Sequence, residues 1–447
     1  MSAAIPPLVL PFVSERAKKT LDKLAIFVEK ECIPADAVFE AQLGEGVDRW
    51  KIQPSIVEDL KNKAKALGLW NIFLPKNHYE NGAGYTNLEY GIMAEQLGKS
   101  TIASEACNCN PPDTGNMEVL AKYGTEAQKR KWLAPLLTGD IRSAFLMTEP
   151  DTASSDARNI QLTMTRDGDY WVLNGSKWWS SGAGHTKTAV YLVMGKSSPN
   201  NPDPYKQQSV ILVPANAPGI KLKRMMSVFG YDDAPHGHGH FVFENVRVPA
   251  SNMIVGEGRG FEIIQGRLGP GRIHHAMRAI GVAERSLEYM IARASDEGKL
   301  AFGKKLNEHG VVLQWIAEAR LNIDAARLIV LNAAVKIDGG DAKAATKEIS
   351  QAKILAPRVA LETLDKAIQS LGASGVSQDT PLAAMWAQAR TLRIVDGPDE
   401  VHSQQLGKNE AKKGLSYQRK IQDQKSITSN LMDQYGVRDE SPTKALL

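Results

Sequence analysis

The chain contains 447 residues, of which 43% are hydrophobic, so it can bury a large core and, at ~100–200 residues per domain, fold as two to four domains. Its 54 basic residues nearly balance its 50 acidic ones, which argues against a protein that binds nucleic acid or an anionic membrane surface. The three cysteines, Cys32, Cys107 and Cys109, fit neither a disulfide framework nor a zinc site, so we expect a reducing compartment.

The two ends of the chain carry no clear targeting signal. Near the N-terminus a short apolar piece is interrupted by Pro6, Pro7 and Pro11 and has no basic region before it, and no apolar run in the chain reaches the ~20 residues of a membrane span. The C-terminal Lys-Ala-Leu-Leu departs from the peroxisomal Ser-Lys-Leu type. We therefore expect a cytoplasmic protein, with peroxisomal or mitochondrial targeting as the alternatives.

Residues 1–140 have the pattern of an α-helical domain. Leu21, Leu24 and Val28 recur at three- and four-residue steps, which places them on one apolar stripe of a helix. Thr125 is a suitable N-cap for a later helix that carries Trp132 and ends near residue 137.

Residues 141–256 have the pattern of short strands. Residues 163–165 and 170–173 are two β-rich runs on either side of an Arg-Asp-Gly-Asp turn, and Asn174-Gly175 indicates another turn after them. Further runs rich in β-branched and aromatic residues span 188–194, 209–214 and 241–248. Because no helical pattern separates these runs, they predict a small barrel or sandwich.

Helical periodicity returns in the last part of the chain, over 257–433, and a polar tail follows over 434–447. The predicted helices are joined by glycine-bearing turns and span 272–294, 307–335, 342–371 and 381–395. Pro357 predicts a kink or a break in the third helix, and we expect the tail to be loose or used in assembly. The predicted fold class is α+β, with an N-terminal all-α domain, a middle β-barrel or sandwich domain and a C-terminal four-helix bundle.

Asp396 is the first candidate for chemistry. It follows the apolar pair Ile394 and Val395 and is followed by Gly397-Pro398, so we expect a helix to end there and to present its carboxylate beside the turn. Such a carboxylate can act as a base. The alternative is an incidental acid at a helix end, since Asp-Gly and Gly-Pro pairs are common turn signals.

Two segments around the middle domain offer polar and aromatic surfaces. Residues 143–156 are rich in hydroxyl groups that can bind a polar ring edge, although the same composition is typical of an ordinary turn. In the segment Lys177–Gly184 the adjacent Trp178 and Trp179 are expected on opposite faces of a strand, one in the core and one presenting a flat apolar surface. The alternative is that both tryptophans pack in the core.

Two turns of the C-terminal part could meet a phosphate. The segment 299–305 places lysines around Gly303, and Gly372-Ala373-Ser374-Gly375 offers a run of backbone amides. The alternatives are a solvated charge cluster for the first turn and a helix cap for the second.

Two further patterns do not indicate a functional site. His236, His238 and His240 alternate, so a strand would place them on one face, but no cysteine or carboxylate cluster completes a metal site and we predict none. The spacing Gly256-x-Gly258-x-Gly260 lacks the preceding strand of a dinucleotide fingerprint.

Taken together, the motifs resemble those of the acyl-CoA dehydrogenase family over nearly the whole chain. The matching segments are Thr148-Glu149-Pro150 with Ser155-Asp156, Lys177-x-Trp179-x-Ser181, Arg247-Val248-Pro249, Gly271-Arg272-Ile273, Ala301-Phe302-Gly303-Lys304 and Asp396-Gly397. Residues 108–118, 266–275 and 396–402 are similar to the branch that contains the mammalian family members ten and eleven.

The resemblance implies an FAD enzyme that oxidises an acyl-CoA thioester, with Asp396 taking the α-proton while the β-hydrogen leaves as hydride to the flavin N5, giving a 2,3-enoyl-CoA. It also implies a homodimer or homotetramer in which a neighbour completes the flavin site, with an electron-transfer flavoprotein or oxygen as electron acceptor.

Residue by residue, the resemblance implies a cofactor set and a substrate set. The cofactor set is Met147, Thr148, Ser155, Trp179, Ser181, Lys299, Phe302, Gln369, Gly372, Gly375, Pro398 and Glu400. The substrate set is Ser155, Arg272, His274, His275 and Gly397.

The chain also departs from the usual family pattern. Asp396 stands where most members have a longer glutamate, Lys299 where an arginine is usual on the pyrophosphate, and Gly310 where a glutamine is typical. We expect burial against flavin and substrate to raise the pKa of the base. The alternatives are a nitroalkane oxidase, a relative on the same fold that also uses an aspartate, and a scaffold without flavin.

Overall fold

The computed structural model describes residues 5–75, 80, 82–340 and 344–437, and it begins with a helical region. Its helices are α1 (Glu15–Phe27), α2 (Ile33–Leu43), α3 (Ser55–Leu67), α4 (Asn87–Leu97), α5 (Ala103–Ala106), α6 (Asp113–Tyr123), α7 (Glu126–Gln128) and α8 (Ala134–Thr138). Ser14 caps α1 by accepting from the Ala17 N–H, and Thr86 with Glu89 forms a capping box on α4.

The middle region contains seven strands. They are β1 (Arg142–Leu146), β2 (Thr163–Asp167), β3 (Tyr170–Ser181), β4 (Thr188–Lys196), β5 (Gln208–Pro214), β6 (Ile220–Met226) and β7 (His238–Pro249). They form one mixed sheet in the order β1-β4-β2-β3-β7-β6, with β5 paired to β4, and β1 runs parallel to β4. The predicted β domain is confirmed as a single curled sheet.

Strand β4 explains how this sheet joins the helices. Val190, Leu192 and Met194 lie in the large core shared with the helical regions, whereas Tyr191 and Val193 lie in a second core on the opposite face. Side chains alternate along a strand, so one apolar strand supplies both cores.

One predicted turn in this region was wrong. Asn174-Gly175 lies inside β3, where pairing with β7 shifts register between Leu173 and Gly175. Gly175 has φ +144°, and a Cβ there would lie 2.9 Å from Leu162 Cα, so glycine is required by backbone approach within the sheet.

The C-terminal region is helical again. It contains α9 (Gly260–Ala294), α10 (Gly310–Asp338), α11 (Thr346–Leu371), α12 (Ala373–Val376), α13 (Leu382–Thr391), α14 (Asp399–Ala411) and α15 (Gly414–Gln434). The predicted order of a helical, a β and a second helical domain is confirmed. No described helix is both long and apolar enough to cross a membrane.

The C-terminal helices differ from the predictions in their bounds and in their continuity. Helix α9 begins at Gly260 rather than near 272, α11 continues through Pro357 without a break, and α13 ends at Thr391 rather than at 395. Helices α12, α14 and α15 were not predicted as separate elements. The two helical domains share one core, because buried residues of α4, α9, α10 and α11 belong to the same cluster. This packing overrides the helix-breaking tendency of Pro270, Gly271 and Pro357.

Candidate active site

Asp396 lies in a tight turn between α13 and α14, not at a helix end as predicted. The N–H groups of Ile394 and Val395 both donate to Thr391 O, at 2.8 and 2.9 Å, and Asp396 then adopts a left-handed backbone with φ +56°. Aspartate tolerates this conformation better than most residues. Pro398 follows in an extended conformation and opens α14.

Three side chains from three helices anchor this turn through its carbonyl oxygens. Arg272 Nε of α9 donates to Asp396 O at 3.0 Å, and His402 Nε2 of α14 lies 3.3 Å from the same oxygen. Lys353 Nζ of α11 donates to Leu392 O and, at 3.4 Å, to Gly397 O. The backbone that carries Asp396 is therefore held in place while its carboxylate is left uncommitted.

Gly397 is required at its position by both conformation and space. Its φ is +102°, and a Cβ there would lie 2.9 Å from His402 Nε2. Gly397, which was part of the sequence signal for a turn, therefore also leaves room for the His402 ring.

The Asp396 carboxylate is nearly enclosed, with 19% of its side chain exposed. Among the described residues, none donates a hydrogen bond to its oxygens, and His275 Nε2 is 3.7 Å from Oδ2. Burial and Arg278 lower the pKa of His275 to about 3, so this ring is uncharged at neutral pH. The carboxylate can therefore accept a proton without first breaking a salt bridge.

The predicted rise in the pKa of Asp396 requires bound flavin and substrate, and it stays a prediction. In the chain alone, burial raises this pKa, but the neighbouring His275, Arg267, Arg272 and Lys353 together lower it further and hold it below the usual aspartate value. Burial also lowers the pKa of Lys353 to about 8. The site is therefore an ionised carboxylate in a basic surrounding.

Sequence reasoning missed Lys353 and Arg267 as members of this site. Lys353 lies on the buried stripe of α11 with Ile349, Ala356 and Ala360, and a lysine on an apolar stripe was the available signal. Arg267 precedes the predicted start of α9; its Nε donates to Asn116 Oδ1 at 3.3 Å and its guanidinium lies 4.2 Å from the Phe145 ring centroid.

A second structured region lies where β1 ends beside β3. Lys177 Nζ, fully buried, donates to Met147 O and to Glu149 Oε1, both at 2.8 Å, and the Trp178 N–H donates to Thr148 O at 3.0 Å. Glu149 also accepts from the Gln161 and Leu162 N–H groups at 2.7 and 2.8 Å. These bonds fix the segment that carries Met147 and Thr148 of the predicted cofactor set.

The two tryptophans divide only in part as predicted, because Trp179 is exposed but Trp178 does not lie in the core. The register of β3 shifts between Lys177 and Ser180, Trp178 is partly buried, and Trp179 is 37% exposed with φ +51°. The irregularity turns the Trp179 ring outward, 5.6 Å from the His238 ring. Ser181 Oγ is hydrogen-bonded to His238 Nδ1 at 2.9 Å, which adds a polar group beside this aromatic face.

The remaining predicted residues occupy three kinds of environment. Ser155 and Glu400 are exposed, and Pro398 is partly buried. His274 is buried edge-on against Tyr90, with ring centroids 4.6 Å apart.

Lys299, Gln369 and Gly372 are exposed, and Phe302 is 99% exposed with φ +53°. Gly375 is buried, and a Cβ on it would lie 2.4 Å from Ile368 O. Within the described residues, no hydrogen bond or ring contact links this last group, Lys299 to Gly375, to Asp396 or Trp179.

The alternating histidines do not share a strand face. His236 precedes β7, whereas His238 and His240 lie on it. His236 Nε2 is 2.7 Å from Glu105 Oε2, and these residues and His185 offer ligand atoms within 4.8 Å of one another. Glu105 also pairs with Lys61 and with Arg142, so positive side chains neutralise this carboxylate.

Comparison with known proteins agrees with this architecture. The family models for the N-terminal, middle and C-terminal domains of acyl-CoA dehydrogenase match residues 14–140, 144–246 and 258–410. These models cover most of the chain in the same helical, β and helical order as the fold, and the chain belongs to the acyl-CoA dehydrogenase family.

Individual relatives place the chain within the family. Acyl-CoA dehydrogenase family member 11 of Gallus gallus is 52% identical over 88% of this chain and 50% of its own length. The Mycobacterium tuberculosis protein named "Probable acyl-CoA dehydrogenase FadE2" is 48% identical over 89% of this chain and 96% of its own. A solved structure of a family protein from Mycobacterium abscessus is 46% identical, with a TM-score of 0.86 over 90% of this chain and 99% of that one.

The predicted resemblance to the branch of members ten and eleven is thus confirmed. The chain spans about half the length of the first of these curated relatives.

Proposed function

We propose that the chain is a flavin-dependent acyl-CoA dehydrogenase in which Asp396 removes the α-proton of an acyl-CoA thioester and the product is the 2,3-enoyl-CoA. The observation that carries the proposal is the Asp396 turn. Its carbonyl is bound by Arg272, while its enclosed carboxylate is free of hydrogen bonds from the described residues and is held ionised by nearby cations. A base needs this combination of fixed position and available lone pairs.

The same turn offers a means of polarising the thioester carbonyl. Among the described residues, the backbone N–H groups of Asp396 and Gly397 have no hydrogen-bond acceptor. An α-hydrogen is too weakly acidic for a carboxylate unless charge developing on the carbonyl oxygen is stabilised by donors placed in advance. We assign this role to the Asp396 N–H, which lies next to its own carboxylate.

The residues on the sheet fit a planar cofactor such as FAD. Trp179 presents an outward aromatic face, Ser181 adds a hydroxyl beside it, and the buried Trp178 Nε1 lacks an acceptor among the described residues. FAD, when bound, would supply the acceptor for the β-hydride. Met147, Thr148, Trp179 and Ser181 would hold it, and Ser155 would lie toward the substrate.

The exposed residues of the C-terminal domain support a homodimer or homotetramer. Phe302 is 99% exposed on a strained turn, which is a costly position for an aromatic ring unless a second copy covers it. We propose that Lys299, Phe302, Gln369, Gly372 and Gly375 meet the cofactor of a neighbouring subunit.

Anaerobic reduction of the flavin tests this function. The purified protein should contain flavin, or gain flavin absorbance when incubated with FAD, and acyl-CoA thioesters should bleach that absorbance. Bleaching by nitroethane but by no thioester would instead indicate a nitroalkane oxidase. A protein that never takes up flavin would exclude both enzymes and favour the scaffold without flavin. Reoxidation by an electron-transfer flavoprotein or by oxygen then distinguishes the two acceptors.

A further inference from the structure

Helix α15 is the one long helix of the described chain with no buried residue. Its 21 residues, Gly414–Gln434, follow α14 after two lysines, and the family model for the C-terminal domain ends before it, at residue 410. At 1.5 Å per residue such a helix is ~30 Å long. Isolated helices are marginal in water, so a helix of this length is expected to pack against a partner.

The exposed surface of α15 includes an apolar stripe. Tyr417, Ile421, Leu431 and Tyr435, the last just beyond the helix, have between 47% and 73% of their surface exposed. Their spacing places them on one side of the helix, together with Gln424 and Thr428. Arg419, Asp433 and the exposed Leu415 lie on the opposite side, and the exposed Ile427 lies on one flank of the stripe.

The stripe is symmetric about its centre in both spacing and side-chain type. From Tyr417 to Tyr435 the steps between its members are four, three, four, three and four residues, and the order of side chains is aromatic, aliphatic, polar, polar, aliphatic, aromatic. The centre of this pattern is Ser426. A two-fold axis at Ser426 would place Tyr417 against Tyr435, Ile421 against Leu431 and Gln424 against Thr428 of a second, antiparallel helix.

The helix dipoles favour the same arrangement, because antiparallel pairing sets the two dipoles against each other, whereas parallel pairing would align them.

We propose that α15 is a self-association helix, which pairs antiparallel with α15 of a second copy of this chain through the stripe centred on Ser426. The proposal does not depend on the catalytic function, because the stripe contains no residue of the candidate active site.

Disulfide cross-linking of the full chain tests the proposed pairing. The double variant Tyr417→Cys/Tyr435→Cys should form an interchain disulfide under mild oxidation, giving a covalent dimer on a non-reducing gel and a 417–435 cross-link by mass spectrometry. The two positions are ~27 Å apart within one helix, so the bond cannot form within a chain. The three native cysteines are buried, which keeps the background low.

The matched control is Gln422→Cys/Asn430→Cys, whose positions are also symmetric about Ser426 but lie away from the stripe. This pair should cross-link at least tenfold more slowly. Absence of the 417–435 bond, or equal rates for the two pairs, would overturn the proposal.

Sedimentation of Ile421→Glu provides a second measurement. A charge on the stripe should weaken one association step about tenfold or more, and an unchanged step would contradict the proposal. If Ile421→Glu weakens assembly while the 417–435 bond does not form, α15 docks on another surface and the self-pairing is wrong.

Discussion

Two enclosed carboxylates of this molecule, Glu149 and Asp396, are each associated with a buried lysine, yet they are bound in opposite ways. Glu149 accepts hydrogen bonds from Lys177 and from two backbone N–H groups, so its side chain is fully committed. Around Asp396 the lysine and an arginine bind backbone carbonyls, and the carboxylate itself remains uncommitted. The difference separates an acid that holds a fold together from one that can exchange a proton.

The largest expected effect is on the rate of flavin reduction in Asp396→Asn. The amide keeps the size of the side chain and removes the base, so reduction by an acyl-CoA should fall by ~10²–10⁴-fold in anaerobic stopped-flow. Flavin content and thermal midpoint should stay near those of the wild type, which serve as the control. A reduction rate within a few-fold of wild type would mean that Asp396 is not the base.

The next effect is on stability, in Glu149→Gln. This change leaves Lys177 buried without its counter-charge, so the free energy of unfolding should fall by ~3–5 kcal/mol in denaturant titration. The double variant Glu149→Gln/Lys177→Met should recover part of that loss, because it removes the unpaired charge. A stable single variant that loses only activity would make Glu149 the functional acid and reverse the comparison.

A smaller effect is expected on the rate in Lys353→Met. The variant removes the ammonium that binds Leu392 O and Gly397 O, so the Asp396 turn should loosen and flavin reduction should slow by ~10-fold with little change in flavin content. Lys353→Arg should retain part of the rate, because it keeps a charged donor. Equal rates in all three proteins would show that the turn is rigid without this lysine.

The smallest effect is a shift in pH dependence. Burial raises the pKa of Asp396 but the nearby cations lower it further, so this group stabilises the fold above the unfolded aspartate pKa of ~3.9 and that stability is lost as pH falls through the lower folded value. Removing one cation in Lys353→Met should move the acid limb of flavin reduction upward by a fraction of a pH unit. A limb that moves downward would contradict the assigned electrostatics.

The sequence was sufficient for features that depend on local pattern. Domain order followed from hydrophobic periodicity, and the Asp-Gly-Pro signal located the Asp396 turn, although α13 ends four residues earlier than expected. Other features depend on distant parts of the chain. The outward Trp179 depends on the register shift against β7, and Lys353 acquires its role only where α11 crosses the Asp396 turn. The direction of the Asp396 pKa shift depends on cations from two helices.

The most direct test of Asp396 as the base is proton exchange at the substrate α-carbon. An acyl-CoA that is incubated anaerobically in D₂O with the flavin-loaded protein should gain deuterium at C2, measured by mass spectrometry, because a base that removes this proton can return a deuteron. We expect exchange with the wild-type protein and none above background with Asp396→Asn. Equal deuterium incorporation by the two proteins would contradict it.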